Sequence, residues 1–108
     1  MQYITRYNIK PRKASEFRDW LRKNAEQLAA NAPTGWKYLG TWCTVQGFGK
    51  YDCEDRWELD GYAALGADYG NETYQRLFLE WFEFLNTSRD METCLMKSAA
   101  DIIIPPGF

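Results

Sequence analysis

The fold is decided by residues 36–59, which read WKYLGTWCTVQGFGKYDCEDRWEL and contain three of the five tryptophans. Aromatic and β-branched residues flank Gly47-Phe48-Gly49-Lys50, and two glycines in so short a connection permit the positive φ angles of a tight turn. The pattern therefore predicts strands at about 36–46 and 51–59, joined as a hairpin. A phosphate-binding loop would need more glycines, a following helix and a Lys-Ser/Thr pair, so the hairpin is the preferred interpretation.

The rest of the chain adds two strands and two helices to this hairpin. Residues 2–10 alternate in character, include β-branched and aromatic members and stop before Pro11, which predicts a first strand. Apolar residues recur every three or four positions at about 13–31 and again at about 72–87, the spacing of amphipathic helices. A short helical turn is predicted within 60–70 and a last strand at about 92–101. The second helix is apolar over more of its circumference than one core-facing side requires.

The element order β, α, β, β, α, β predicts an α+β architecture of the ferredoxin-like βαββαβ type, in one domain that spans residues 1–108. In that topology two helices cover one face of a four-stranded antiparallel sheet, and the first strand lies between the third and the fourth. Aromatic residues on both faces make it unfavourable to leave the other face in water. We therefore expect a homodimer that covers the bare face, with the isoleucines at 102–104 buried on the neighbour.

Several segments give the chain a resemblance to a known superfamily: YITRYNIK at 3–10, EFRDWLRKN at 16–24, RWEL at 56–59 within the hairpin, and the closing strand. In these segments and in element order the chain resembles the dimeric α+β barrel proteins, which include EthD-like, stress-responsive barrel and antibiotic-biosynthesis monooxygenase-like members. The resemblance extends over nearly the whole chain. It implies a homodimer in which two four-stranded sheets form a barrel, with pockets between each sheet and its helices or its partner.

Composition excludes several functional classes. A net charge of −2 argues against nucleic acid as the main partner, because phosphate binding relies on concentrated positive charge. No stretch approaches the roughly 20 apolar residues that span a bilayer, and no N-terminal apolar run follows a basic segment. We therefore expect a soluble, cytoplasmic protein that does not act at a membrane.

Metal and thiol chemistry is restricted by the residues present. The chain contains no histidine, so the iron-ligating histidine that the resemblance implies for heme-degrading members is missing, and imidazole metal sites are excluded. The three cysteines, Cys43, Cys53 and Cys94, are an odd and scattered set, which favours reduced, buried thiols over a disulfide framework or a metal site. We expect no metal and no cofactor.

A polar cluster is predicted on the face of the sheet that turns away from the helices. Trp57 and Leu59 suit the helix-covered face, so alternation directs Glu54, Arg56 and Glu58 the other way. The first strand should pair with this strand and share its outer face. The cluster predicted from both strands comprises Arg6, Asn8, Arg56 and Glu58. Because buried charges persist only when they are paired, this cluster is either a structural salt-bridge lattice or a ligand-contacting site.

The register of the hairpin decides what joins this cluster, since a slip of one residue exchanges the two faces of a strand. If even positions oppose even ones, Trp42 and Thr44 join Arg56 and Glu58, and a cation–π contact between Trp42 and Arg56 becomes possible. If even positions oppose odd ones, the lining residues are Leu39, Thr41, Cys43 and Val45. We favour the first register slightly. The predicted ligand-binding residues are then Arg6, Asn8, Trp42, Arg56 and Glu58.

Three functions remain open at this point. The aromatic content of 17%, together with Arg6 and Arg56, predicts a protein that binds a small aromatic or anionic molecule in the barrel. The resemblance implies a second possibility, a cofactor-independent monooxygenase or isomerase, since such monooxygenases position aromatic substrates with asparagine, tryptophan and arginine. The catalytic candidates are Asn8, Arg56 and Glu58, with Glu58 as general base and Trp42 or Trp57 beside the substrate. The third possibility is a purely structural dimer with a filled interior.

Overall fold

The sheet of this protein has four antiparallel strands, in a computed structural model that describes residues 1–47, 49–66, 69–103 and 106–107. The strands are β1 (Gln2–Tyr7), β2 (Trp36–Cys43), β3 (Cys53–Leu59) and β4 (Glu92–Met96), in the order β2-β3-β1-β4. The helices are α1 (Ala14–Ala30) and α2 (Glu72–Glu83), and short 3₁₀ helices lie at Tyr62–Gly66 and Ala99–Asp101. The predicted ferredoxin-like α+β architecture is confirmed, with β1 between β3 and β4.

Both β1 and β4 end earlier than the sequence pattern predicts. β1 stops at Tyr7, and the side chain of Asn8 accepts a hydrogen bond from the backbone N–H of Asp52 at 3.0 Å in place of ladder pairing. Ile9 then forms an isolated bridge to Leu85, which ties the chain after α2 to the end of β1. β4 is followed by the second 3₁₀ helix instead of further strand.

Two of the C-terminal isoleucines, Ile102 and Ile103, lie at the surface of the chain. Ile103 is 94% exposed, and Ile102 is also exposed. Ile104, like the turn residue Phe48, lies outside the described residues. Burial of this segment on a second copy of the chain therefore stays a prediction.

A β-bulge between Tyr38 and Gly40 shifts the register of the hairpin. On the turn side of the bulge Gly40 faces Arg56, so that even positions oppose even ones. On the other side Tyr38 faces Trp57, so that even positions oppose odd ones. Gly40 has a φ of +129°, which side chains disfavour and glycine adopts readily. The register favoured from the sequence therefore holds only next to the turn.

The bulge distributes the aromatic residues of β2 over both faces of the sheet. Trp36 and Tyr38 pack against Trp57 on the helix-covered face, with ring centroids 5.7 Å and 5.0 Å from the Trp57 ring. Trp42 pairs with Glu54 on the bare face and is 49% exposed. Aromatic surface thus reaches both sides of one strand, as the composition suggested.

The core lies between the helices and the covered face of the sheet. β3 alternates strictly: Cys53, Asp55, Trp57 and Leu59 are buried, and the residues between them are half-buried. One buried cluster holds Tyr7, Ile9, Phe17, Cys53 and Leu85, and a second holds Trp57, Leu59 and Ala64. Trp57 and Leu59 are therefore confirmed as core anchors.

Helix α2 is apolar on its outer side as well as on its core side. Leu77 is fully buried, whereas Phe78, Leu79 and Phe82 are exposed in the single chain. Asn71 caps the N-terminus of the helix, because its side-chain oxygen accepts a hydrogen bond from the backbone N–H of Tyr74 at 2.9 Å. Neither α2 nor any other helix in the described part of the chain is long and apolar enough to cross a membrane.

Two leucines of α2 provide a matched test of this packing. Leu77→Ala removes a fully buried side chain and is expected to lower the free energy of unfolding by about 2–5 kcal/mol. Leu79→Ala, on the exposed side, should change it by less than about 0.5 kcal/mol. Urea denaturation followed by circular dichroism measures both. Equal losses would contradict the assignment of Leu79 to an uncovered surface.

Candidate functional site

Two arginines and two glutamates form an ion-pair network on the bare face of the sheet, which we call the bare-face network. Arg6 donates to Glu54 at 2.8 Å and to Glu92 at 2.7 Å, and Arg56 donates to the other oxygen of Glu54 at 2.6 Å. Burial raises the pKa of Glu54, but the hydrogen bonds and charges of Arg56 and Arg6 outweigh that effect and hold this pKa below its ordinary value. The network is therefore charge-balanced, with each arginine paired to a carboxylate.

The indole of Trp42 lies over the guanidinium of Arg56. The guanidinium carbon is 4.7 Å from the ring centroid, within the range of a cation–π contact. This is the contact that the even-with-even register makes possible. Trp42 and Arg56 are thus in contact on the bare face, and Glu54 links Arg56 to Arg6.

The remaining two predicted site residues make separate contacts. Glu58 accepts a hydrogen bond from the N-terminal ammonium of Met1 at 3.0 Å. Asn8 is buried, binds the backbone N–H of Asp52 through its side chain, and accepts the backbone N–H of Asn86 at 2.8 Å through its carbonyl. Arg6, Trp42 and Arg56 are thus brought together, whereas Asn8 and Glu58 hold chain segments in place. A ligand role for any of the five stays a prediction.

A cavity of about 290 Å³ lies on the opposite face, between the sheet and α2, and we call it the covered cavity. Aromatic side chains make most of its wall: Tyr3, Trp36, Trp57, Tyr74, Phe78, Trp81 and Phe82. A groove of about 640 Å³ along the 3₁₀ helix Tyr62–Gly66 shares three of these residues, Trp36, Tyr74 and Phe78. Predominantly apolar walls with few polar groups are typical of small-molecule sites.

Asp55 is the acidic residue in the wall of the covered cavity. It is 8% exposed, and one carboxylate oxygen, Oδ1, accepts hydrogen bonds from the hydroxyls of Tyr7 at 2.6 Å and Thr41 at 2.7 Å. Because Thr41 donates its only proton to Asp55, its oxygen accepts from the hydroxyl of Tyr38. Among the described residues no hydrogen bond reaches Oδ2 and no lysine or arginine pairs with Asp55. Oδ2 therefore keeps acceptor capacity that these contacts do not use.

Burial is the main influence on the pKa of Asp55. It raises the pKa of Asp55 to about 6, although the hydrogen bonds from Tyr7 and Thr41 act in the opposite direction. Burial and the charge of Asp55 also hold the pKa of Tyr7 far above its ordinary value, so Tyr7 remains a donor. Asp55 is thus a carboxylate at neutral pH but accepts a proton under mildly acidic conditions.

No protein-family model and no curated protein matches the sequence, but solved structures do match the fold. An uncharacterized NIPSNAP domain protein from Burkholderia xenovorans aligns with a TM-score of 0.63 at 19% identity, over 96% of this chain and 100% of that one. An antibiotic biosynthesis monooxygenase aligns with a TM-score of 0.60 at 18% identity, over 91% and 97% of the chains. A NIPSNAP family protein from Agrobacterium tumefaciens aligns at 0.58 and 14% identity, over 91% and 93%.

This chain has the ferredoxin-like α+β fold. The resemblance to α+β barrel proteins that include antibiotic-biosynthesis monooxygenase-like members is confirmed at the level of that fold. At these identities the likeness does not assign roles to single residues. The roles of the site residues in this ferredoxin-like protein therefore depend on their own contacts.

Asp55 was not among the residues predicted for the site, although the sequence contains the signal for it. The alternation that places Trp57 and Leu59 on the helix-covered face also places Asp55 there, two positions earlier. An acidic residue among core-facing positions of a strand is unusual, because a buried charge is costly without a partner. Among the described residues of this ferredoxin-like protein, no three potential metal ligands of the Cys, Asp and Glu types come together.

The raised pKa of Asp55 predicts a specific pH dependence of stability. The folded protein binds a proton at Asp55 more tightly than the unfolded chain does, so this group favours folding below pH 4 and loses that contribution as pH rises through 6. From pH 4 to 7 the ionisation of Asp55 should lower the unfolding free energy of the wild type by about 2 kcal/mol relative to Asp55→Asn. Urea denaturation of both proteins across this range measures the difference.

The neighbouring residue on β3 supplies a control of opposite sign. Glu54 has a lowered pKa in the folded state, so its stabilising contribution is present at neutral pH and is lost as pH falls. The stability gap between wild type and Glu54→Gln should therefore shrink towards acidic pH. If the gap between wild type and Asp55→Asn showed the same slope, Asp55 would not have the buried, unpaired environment described above.

Proposed function

We propose that this protein binds a small aromatic molecule that carries a hydrogen-bond donor, in the covered cavity and with Asp55 as its polar anchor. The observation that carries the proposal is the free Oδ2 of a buried carboxylate in a wall of aromatic rings. Tyr7 and Thr41 both occupy Oδ1, so the second oxygen remains an acceptor. A donor on the ligand would complete the hydrogen bonding of Asp55.

The charge distribution favours a neutral or cationic ligand over an anionic one. Asp55 is ionised at neutral pH and would repel an anion in the covered cavity. On the bare face, both Arg6 and Arg56 are engaged by Glu54, and Arg6 also by Glu92. An anion there would have to displace a carboxylate. Of the two kinds of ligand expected from composition, these charges therefore support an aromatic molecule and do not support an anionic one.

The size of the covered cavity suits a molecule of one or two rings. Its volume of about 290 Å³ lies at the lower end of the range of small-molecule pockets. Rings of Trp36, Trp57 and Tyr74 can meet a bound ring edge-on or offset, which is the preferred arrangement of aromatic pairs. The adjoining groove would accommodate a substituent.

A second candidate function is cofactor-independent enzymatic chemistry, and the same carboxylate favours it. A general base is most effective when its pKa lies near the working pH, and that of Asp55 is raised to about 6. In an enzyme of the isomerase or oxygenase type Asp55 would take the proton from a ring hydroxyl. Glu58, the base expected from the sequence, is instead engaged by the ammonium of Met1.

We also propose that the protein is a homodimer through the bare face of the sheet. Trp42 and Met96 present exposed apolar surface there, and burial of such surface stabilises association. The paired charges of the bare-face network would lie inside that interface without leaving an unpaired ion.

Ligand binding is tested with indole, benzofuran and indole carboxylate by isothermal titration calorimetry. Indole and benzofuran have the same shape, but only indole carries an N–H donor, so indole should bind at least about tenfold more tightly. Asp55→Asn should remove that preference, and Trp42→Ala, on the bare face, should keep it. Preferred binding of indole carboxylate, abolished by Arg56→Ala, would place the site on the bare face instead. Absence of binding by all three at millimolar concentration would favour a structural role.

Catalysis is tested by aerobic incubation with dihydroxynaphthalene, followed by oxygen uptake and by NMR of the ring protons. Turnover should rise with pH through about 6, because the carboxylate form of Asp55 is the base, and Asp55→Asn should lower it at least about a hundredfold. Glu58→Gln is the matched control and should retain activity. An unaltered ring after prolonged incubation would count against the enzymatic candidate and leave binding as the function.

The oligomeric state is measured by light scattering and analytical ultracentrifugation at micromolar concentration. The expected mass is twice the 12.7 kDa of one chain. Trp42→Glu should weaken association at least about tenfold, because it replaces the exposed indole that the interface would bury with a charged side chain. Leu79→Glu on the outer side of α2 should not. The reverse pattern would assign the interface to α2, and a monomeric mass would refute the dimer.

A further inference from the structure

Two of the three cysteines are directly opposed across the hairpin. Cys43 is the last residue of β2 and pairs with Cys53, the first residue of β3, with their sulfur atoms 3.2 Å apart. The expectation of scattered thiols is therefore wrong for this pair, and the expectation of burial is wrong for Cys43, which is exposed, but holds for Cys53. Cys94 lies on β4, opposite Ile4 of β1.

The ladder position of this pair suits a covalent bond. The backbone N–H of Thr44 donates to the carbonyl of Asp52 at 2.8 Å, which makes the preceding pair, Cys43 with Cys53, a non-hydrogen-bonded one. At such positions the Cα atoms of an antiparallel ladder are about 4.5 Å apart, within the range that a disulfide spans. Little backbone movement is needed to bring the sulfur atoms into bonding distance.

Both cysteines border one depression at the mouth of the hairpin. This depression has a volume of about 330 Å³ and is lined by Cys43 and Cys53 together with Arg6, Trp42, Lys50 and Glu54. Cys43 is the exposed member and Cys53 the buried one. A small thiol reagent would therefore meet Cys43 first.

We propose that Cys43 and Cys53 are a redox-active pair that closes to a reversible cross-strand disulfide when a small disulfide such as oxidised glutathione reacts with Cys43. The Cys43 thiolate attacks one sulfur of glutathione disulfide, the S–S bond breaks, and one glutathione leaves. Cys53 then attacks the Cys43 sulfur of the mixed disulfide and releases the second glutathione. Two protein thiols are oxidised by two electrons, and their protons and those electrons pass to two glutathione molecules.

The environment of the two sulfur atoms sets the order of these steps. Burial raises the pKa of Cys53 well above its ordinary value, and the hydrogen bond to Cys43 and the charges of Asp55 and Asp52 raise it further. Cys53 therefore stays protonated while Cys43 reacts, and its proton passes to the departing glutathione thiolate when its sulfur attacks the mixed disulfide. β2 is an edge strand, so the finished bond stays open to reductants, which is typical of labile rather than structural disulfides.

The redox pair is separate from the covered cavity. Neither Cys43 nor Cys53 lines that cavity, and Cys53 packs with Tyr7, Phe17 and Leu85 instead. The proposal therefore does not depend on ligand binding and can fail or succeed independently of it.

The experiment uses the full chain with Cys94→Ser, which leaves only the two opposed thiols. The reduced, folded protein is incubated with excess oxidised glutathione, and intact mass and linked peptides are determined by mass spectrometry. We expect the loss of two hydrogen masses, no retained glutathione, a Cys43–Cys53 linked peptide, and full reversal by dithiothreitol. Retained glutathione without ring closure, or a disulfide between two chains, would overturn the proposal.

Two further variants assign the roles of the thiols. Adding Cys53→Ala should stop the reaction at one stable glutathione on Cys43, and adding Cys43→Ser should leave the protein unmodified. Circular dichroism identifies any variant that does not fold, and the Cys94→Ser protein alone then decides the outcome. Modification of Cys53 in folded protein that lacks Cys43 would contradict the order of steps.

Discussion

The bulge between Tyr38 and Gly40 is the constraint on which both faces of the sheet depend. Without the bulge, the register that pairs Tyr38 with Trp57 would continue toward the turn. Thr41 would then stand opposite Glu54, and Cys43 would stand opposite Asp52. The shift of one residue instead places Thr41 beside Asp55, Cys43 beside Cys53, and Trp42 over Arg56. One irregularity in β2, made possible by a glycine at positive φ, thus determines the hydrogen bonds of the covered cavity, the thiol pair and the bare-face contact.

Adjacent residues of β3 show how the faces differ electrostatically. Glu54 points to the bare face, where two arginines stabilise its charge and lower its pKa. Asp55 points to the covered face, where hydroxyl donors replace cations and desolvation raises its pKa to about 6. On the bare face the hydrogen bonds and charges of the guanidinium groups outweigh burial, and on the covered face burial outweighs the hydrogen bonds from the hydroxyls. Chemistry that needs a proton acceptor near neutral pH therefore belongs to the covered face, and the bare-face network suits an interface.

Much of the fold follows from local pattern, but the site follows only in part. Alternation along β3 correctly separated Trp57 and Leu59 from Glu54 and Arg56, and it assigned Asp55 to the covered face as well. The sequence pattern predicts Asn8 on the same strand face as Arg6, but β1 ends at Tyr7, before Asn8. In the structure the side chain of Asn8 accepts a hydrogen bond from the backbone N–H of Asp52, a contact between residues far apart in sequence. Glu58 keeps its predicted face but is engaged by Met1, again through a contact that periodicity does not contain.

The sequence by itself determined the order of helices and strands, the hairpin and the two faces of β3, because each depends on periodicity and turn residues within a few positions. Only the tertiary structure decided the register shift, the partners of each charge, the volume beneath α2 and the approach of Cys43 to Cys53. These depend on where a strand meets its neighbour and a helix meets the sheet. A shift of one residue, which hardly alters the pattern of a strand, exchanges every contact that it makes.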